Sequence, residues 1–172
     1  MSKIYTGIDI GVCEIKFSEV SGNKLLRCVS EPLPDNFVRD DKIISPEAMS
    51  QFIRETAKKY KLCHKKCSVI LPASQVFTRR ISEPYMTVEH LKLNLPYEFR
   101  DFITRDKEQY FYDYAVVDIK TDLNRTPVSL DLMIAAVLKE TISTYSDMFR
   151  HAGFKLVAAM PVEFAYRNII NL

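Results

Sequence analysis

The segment at residues 7–16, Gly-Ile-Asp-Ile-Gly-Val-Cys-Glu-Ile-Lys, constrains the fold of this chain more than any other part of it. Apolar residues begin at Ile4 and resume at Ile15 and Phe17, which predicts a strand, a tight turn and a second strand. Gly11 permits turn conformations that other residues resist, and it lets main-chain N–H groups come close to an anion. The segment therefore predicts a β-hairpin whose turn can approach an anionic ligand.

Two charged residues stand on either side of this turn. Asp9 lies at the end of the first predicted strand, where a carboxylate can orient a metal-bound water, and Lys16 supplies a point charge for a phosphate. Hairpins of this kind hold nucleotide phosphates in the actin and sugar-kinase superfamily, so Asp9, Gly11 and Lys16 are candidate nucleotide-binding residues. An ordinary hairpin with a turn aspartate and a surface lysine fits these ten residues equally well.

Length, composition and charge narrow the class of protein. A chain of 172 residues, 47% apolar and 27% charged, suits one globular domain or two small ones with a real core. A net charge of +2 without a long basic stripe argues against a dedicated nucleic-acid binder. We expect no transmembrane helix and no signal peptide, because apolar runs are short and the N-terminus leads directly into a strand. Four cysteines without a disulfide-framework spacing suit a reducing cytoplasm.

The first half of the chain reads as three strands, a helix and further strands. The helix begins at Ser45-Pro46-Glu47, where a capping side chain, an early proline and an acid stand together. The predicted strands are residues 3–10, 14–20, 24–31, 67–71 and 75–82. Strand–strand–strand–helix–strand is the order of the ribonuclease-H-like half that actin-like proteins share.

The pattern changes after Glu83-Pro84. Thr87 is the predicted N-cap of a helix, and Pro96 predicts a kink or a break inside it. A strand at 109–119, a turn, a strand at 128–137, a helix that ends at Gly153, a strand at 155–159 and a helix starting at Pro161 complete the chain. The residues predicted for one face of the Thr87 helix are Leu91, Leu95, Phe99 and Phe102.

Several stretches of the chain carry a family resemblance in their order and spacing. They are the opening Gly7-Ile-Asp-Ile-Gly with its Ile-Lys, Ser68-Val-Ile-Leu-Pro-Ala-Ser, Val76-Phe-Thr-Arg-Arg-Ile-Ser-Glu-Pro-Tyr-Met, Leu132-Met-Ile-Ala-Ala-Val and His151-Ala-Gly-Phe. Over nearly all 172 residues the chain resembles the N-terminal part of the type IV pilus assembly protein PilM family, relatives of the cell-division protein FtsA.

This resemblance implies a fold class and a domain layout. The expected fold is α/β, with a ribonuclease-H-like, actin-like subdomain 1A and an inserted α+β subdomain of the SHS2 type, called 1C. The implied boundaries are residues 1–83 for the first part of subdomain 1A, 84–153 for the inserted subdomain 1C, and 154–172 for the return to subdomain 1A.

The resemblance also implies a partner. Members of the family are cytoplasmic actin-like scaffold components of type IV pilus assembly, peripheral to the inner membrane through the N-terminal cytoplasmic tail of a membrane-anchored, PilN-like protein. In the family that tail lies in a groove between the two subdomains, and we take Arg80 and Tyr85 as candidate contacts. Exposed apolar residues on the final helix, Phe164, Ile169, Ile170 and Leu172, also predict self-association.

The nucleotide site implied by the resemblance is incomplete in this chain. An intact parent would bind ATP with Mg²⁺ between two lobes, but the second phosphate hairpin and the adenosine loop lie in a later lobe. Val12 and Cys13 also stand where the family usually offers a serine or threonine hydroxyl. We therefore expect weak or no ATP binding and no enzymatic activity. A fragment of an ATP-binding, FtsA-type switch with a cell-division partner remains the alternative.

Smaller groups of residues have a structural and a functional reading. Cys63, His64 and Cys67 suggest half a zinc site, but two reduced, partly buried thiols are the simpler interpretation. Arg79 and Arg80 point to opposite faces of one strand, so one is expected to pair with a carboxylate and the other to face a groove or solvent. Asp9 as a nuclease metal ligand would need acids on later strands, and the strand at 67–71 has none.

Overall fold

The structure is a computed structural model that describes residues 4–165. Residues 162–165 are helical, which is where the last predicted helix begins, whereas Ile169, Ile170 and Leu172 lie outside the described part. The elements in chain order are β1 (Ile4–Ile10), β2 (Glu14–Ser21), β3 (Lys24–Pro32), β4 (Val38–Arg39), β5 (Lys42–Ile43), α1 (Pro46–Lys59), β6 (Lys66–Leu71), β7 (Phe77–Pro84), α2 (Val88–Glu98), β8 (Tyr110–Thr121), β9 (Pro127–Leu138), α3 (Lys139–Ala152) and β10 (Lys155–Pro161).

The first sheet has five strands in the order β10-β6-β1-β2-β3. Strands β1, β2 and β3 form an antiparallel meander, and Gly22 makes its second turn with a φ of 58°. Strands β6 and β10 run parallel to β1, so each must be reached by a crossover. The crossover to β6 contains α1, and the crossover to β10 contains the whole second sheet and α3.

Helices α1 and α3 cover one face of this sheet. The Ser45 hydroxyl accepts a hydrogen bond from the Ala48 N–H at the start of α1, as predicted for its N-cap. Gly153 ends α3 with a φ of 89°, a left-handed conformation that glycine adopts without strain. The fully buried side chains between helices and sheet include Ile8, Ile15, Phe17, Met49, Ile53, Leu71 and Phe149.

The second sheet has three antiparallel strands in the order β7-β9-β8, and α2 packs on one of its faces. Leu91, Leu95 and Phe99 are buried there as predicted, but Phe102 is half exposed beyond the helix end. The helix α2 continues through Pro96 to Glu98, so the proline does not break it. Pro96 lies in the last turn, where Arg79 Nη1 donates to the Glu98 carbonyl at 2.9 Å.

Two elements near the expected boundaries at 84 and 153 pack on the other side of those boundaries. Strand β7, expected within the first subdomain, pairs with β9 over its whole length, and its Ile81 packs in the second core with residues of α2. Helix α3, expected within the insertion, buries Tyr145 and Phe149 beside α1 in the first core. The subdomain limits stay a prediction; the strands that pair in the second sheet run from Phe77 to Leu138.

A pair of leucines on α2 tests the second core. Leu95 is 2% exposed and Leu93 is 68% exposed, although both lie on the same helix. We expect Leu95→Ala to lower the free energy of unfolding by about 2–5 kcal/mol, because it leaves a cavity in the core. Leu93→Ala should change it by less than about 0.5 kcal/mol. Urea unfolding followed by circular dichroism measures both; equal losses would contradict this packing.

Candidate functional site

The β1–β2 hairpin places two of the predicted site residues opposite each other. Asp9 pairs in register with Lys16 across the antiparallel ladder. The Gly11 N–H donates to the Glu14 carbonyl at 2.9 Å and closes the turn. A Cβ at Gly11 would lie 3.1 Å from that carbonyl oxygen, so the tight turn favours glycine. The local sequence therefore brings Asp9, Gly11 and Lys16 together as expected.

Asp9 and Lys16 line a cavity of about 390 Å³ on the face of the first sheet that is turned away from α1 and α3. Strand alternation explains this placement, because the neighbouring Ile8, Ile15 and Phe17 all point into the core. Other lining residues come from β1, β2, β6 and β10: Tyr5, Gly7, Ser18, Ile70 and Met160.

Glu14 is a site residue that sequence reasoning missed. Its Oε1 lies 2.8 Å from Lys16 Nζ, and the Ser30 hydroxyl on β3 donates to its Oε2. Lys16 and Ser30 hold the pKa of the Glu14 carboxyl below its usual range, and Glu14 raises the pKa of Lys16. The signal was available in the sequence: residues two apart on a strand share a face, so an acid at 14 meets a lysine at 16.

Two features of the folded hairpin oppose the binding of a nucleotide phosphate. The Lys16 ammonium group already has a carboxylate partner, and Val12 at the turn is 57% exposed and has no side-chain donor. The Cys13 carbonyl accepts a hydrogen bond from the Leu33 N–H, which ties the turn to the segment after β3. The three residues thus lie where the sequence places them, and their role in nucleotide binding stays a prediction.

A second cavity, of about 480 Å³, lies between the two sheets, and we call it the inter-sheet groove. One wall comes from β8 and β9 of the second sheet, and the other from β10 and the end of β6 in the first. Both β8 and β10 are edge strands within the described residues. The groove is mainly apolar; residues that line it include Val76, Phe111, Ala135, Val137, Met160 and Pro161.

Arg80 and Tyr85, the predicted partner contacts, do not line this groove. Arg80 pairs with Met133 in the ladder, and its guanidinium lies 3.3 Å from Asp131 Oδ2. Lys120 contacts the same carboxylate at 3.2 Å, and hydrogen bonds from Ser82 and Lys120 keep the pKa of Asp131 low. Tyr85 lies beyond the end of β7, half exposed, at the far end of the second sheet. Their role in partner contact therefore stays a prediction.

The residues of the hypothetical zinc site have other partners. His64 Nδ1 lies 2.7 Å from the buried carboxylate of Glu19, and Cys67 is buried in the first core. Cys63 is exposed. Among residues 4–165, no three His, Cys, Asp or Glu side chains are grouped so that they could hold a metal ion. In that same range, no helix combines the length and apolar character needed to cross a lipid bilayer.

The strand order, the two crossovers and the helices on one face define an α/β protein with the actin-like fold, as expected. A structure of the PilM-PilN type IV pilus biogenesis complex is similar over 99% of this chain and 50% of its own, with 23% identity and a TM-score of 0.81. The cytoplasmic domain of EpsL, an inner membrane component of the type II secretion system of Vibrio cholerae, is similar over 92% and 57%, with 17% identity and a TM-score of 0.55.

The family model of the type IV pilus assembly protein PilM matches residues 7–172 of this chain. The chain therefore belongs to the PilM family, and the resemblance expected from its motifs is confirmed. It spans about half of the length of the PilM chain that it matches.

Cysteine reactivity tests the burial at the start of β6. Burial raises the pKa of the Cys67 thiol to about 12, whereas Cys13, Cys28 and Cys63 are exposed. We expect three thiols to react with iodoacetamide at neutral pH and Cys67 to react only after unfolding. Because folded Cys67 keeps its proton where the unfolded thiol loses it, this group lowers the free energy of unfolding as pH rises above 9. Mass spectrometry of labelled peptides distinguishes the sites; rapid labelling of Cys67 would contradict the structure.

Proposed function

We propose that this chain is part of an actin-like scaffold component of type IV pilus assembly that binds the N-terminal cytoplasmic tail of a membrane-anchored, PilN-like protein. The observation that carries the proposal is the apolar inter-sheet groove. Family membership supports the pilus role, and the similar structure is of a PilM-PilN complex. The proposal needs only the two sheets that form the groove.

The groove has the features that an extended apolar segment requires. Phe111, Ala135 and Val137 line it from the second sheet, Pro161 lines it from β10, and Val76 lies in the segment before β7. An extended peptide can add to an edge strand through main-chain hydrogen bonds while its alternate side chains fill apolar pockets. Because β8 and β10 are edge strands beside the groove, either one offers this mode of binding.

Arg80 extends the proposed surface beyond the groove. Residues Asp131, Met133, Ala135 and Val137 alternate with the side chains that face α2, so they share the opposite face of the second sheet. Arg80 pairs in register with Met133, two residues from the groove wall at Ala135, and its guanidinium contacts Asp131, which is four residues from Ala135. A tail longer than the groove would therefore reach Arg80, whereas Tyr85 lies farther away.

The same proposal includes a cellular location, and it does not include an enzymatic activity. A cytoplasmic protein that holds the tail of a membrane-anchored partner is peripheral to the inner membrane through that partner, and nothing in this role requires nucleic acid. Enzymatic activity is not part of the proposal, because Lys16 is paired with Glu14 and Val12 has no donor.

A second candidate function is an ATP-binding, FtsA-type switch in which this chain is one lobe. The register of Asp9 opposite Lys16 in one cavity favours it. The apolar Val12 and the Glu14–Lys16 ion pair oppose it. The groove supports the scaffold proposal more directly, because its walls are present in this chain.

Two phenylalanines give a matched test of the groove. Phe111 and Phe102 are both 50% exposed, and each ring lies near a cation, but only Phe111 lines the groove. We expect Phe111→Asp to weaken binding of a synthetic peptide with the N-terminal cytoplasmic sequence of the PilN-like protein at least about tenfold, because a carboxylate must then be desolvated in an apolar cleft. Phe102→Asp should change the affinity less than about twofold, as is usual for residues outside an interface.

Fluorescence anisotropy of the labelled peptide measures both affinities, with thermal melting of each variant as the control for folding. Equal losses in the two variants would contradict the groove as the binding site. An absence of peptide binding by the unsubstituted chain would contradict the proposed partner. Arg80→Ala, measured in the same series, shows whether the tail extends along the second sheet.

A further inference from the structure

We infer that the Glu14 carboxylate pairs with the Lys16 ammonium group at the position that a nucleotide phosphate would need. The hairpin therefore excludes phosphate groups through its own sequence. The inference concerns which ligands can enter the cavity that Asp9 and Lys16 line on the first sheet, and it does not depend on the partner proposed for the inter-sheet groove. It makes Glu14 the residue that determines whether the hairpin accepts an anion.

The geometry of the ion pair carries this inference. Glu14 and Lys16 lie two residues apart on the same face of β2, and their charged atoms are 2.8 Å apart. The Ser30 hydroxyl on β3 holds the second carboxylate oxygen, and Ser30 is the register partner of Lys16. The carboxylate is therefore fixed from two strands at the place where Lys16 would meet an incoming anion.

The local charge has the wrong sign for a phosphate. Asp9 lies directly opposite Lys16, and it contributes to the Coulomb interactions that raise the pKa of Lys16. The carboxylates of Asp9 and Glu14 and the ammonium group of Lys16 thus lie together beside the turn. A phosphate that displaced the ion pair would still lie a few ångströms from Glu14, and like charges at that distance repel even in water.

The main chain of the turn strengthens this effect. The Gly11 N–H already donates to the Glu14 carbonyl, and the exposed Val12 side chain has no donor. The turn therefore offers a phosphate neither of these donors.

The Glu14–Lys16 ion pair is exposed, and an exposed pair alone would be displaced easily, since such pairs contribute little to stability. The ion pair therefore supplies the smaller part of the exclusion, and the repulsion between Glu14 and a phosphate that has displaced it supplies the larger part.

The test is a titration of inorganic tripolyphosphate into the ¹⁵N-labelled 172-residue chain, followed by the amide signals of Gly11 and Lys16. Tripolyphosphate is the probe because it carries the phosphate charges and needs no adenosine loop. We expect Glu14→Gln to bind it at least about tenfold more tightly than the unsubstituted chain, because one repelling charge is removed without a change in side-chain size.

Glu31→Gln is the matched control, because Glu31 is on the neighbouring strand and pairs with Lys59 instead of Lys16. It removes the same charge and should change the affinity less than about twofold. Lys16→Met in the Glu14→Gln background should abolish the gain. Thermal melting verifies that each variant is folded.

Saturable signals from the unsubstituted chain with an affinity equal to that of Glu14→Gln would overturn the inference. Equal gains in Glu14→Gln and Glu31→Gln would also overturn it, because the effect would then reflect net charge alone. A Glu14→Gln chain that binds no more tightly than the unsubstituted chain would show that Glu14 does not exclude phosphate.

Discussion

The parallel pairing of β10 with β6 is the interaction on which the rest of the structure depends. It joins Lys155–Pro161 to Lys66–Leu71 and so returns the chain to the first sheet after a long excursion. The second sheet and α3 lie between these two strands in the chain, so the pairing anchors both ends of that segment in the first sheet. The groove exists because β10 lies beside the second sheet, and the first core is closed because α3 leads directly into β10.

Local signals were sufficient for the parts of the fold that short segments determine. Ser45 and Thr87 cap the starts of α1 and α2, and Gly153 ends α3, as their chemistry predicts. Each of them makes its capping hydrogen bond with a backbone group within four residues. Local signals did not predict which sheet contains β7. Alternation shows that a strand has two different faces, but it does not show which partner strand it meets.

The candidate sites also differ in how far local sequence predicts them. Asp9, Gly11 and Lys16 come from one hairpin, so their arrangement was predictable, and Glu14 could have been found from the same two-residue period. The groove residues could not be found in this way, because Phe111, Ala135 and Pro161 are far apart in sequence and meet only when the two sheets pack together. Arg80 was singled out by its motif, and its relation to the groove depends on the β7–β9 register.

The late return of β10 also determines the order in which a growing chain can be completed. Strand β6 can pair with β1 on one side once both have been synthesised, but its other neighbour, β10, follows the second sheet and α3 in the chain. During that interval β6 is an apolar edge strand, with Cys67, Val69 and Leu71 on one face and an open row of backbone donors and acceptors. An unpaired edge of this kind is a site where other chains can pair, so the pairing of β10 both completes the first sheet and covers that edge.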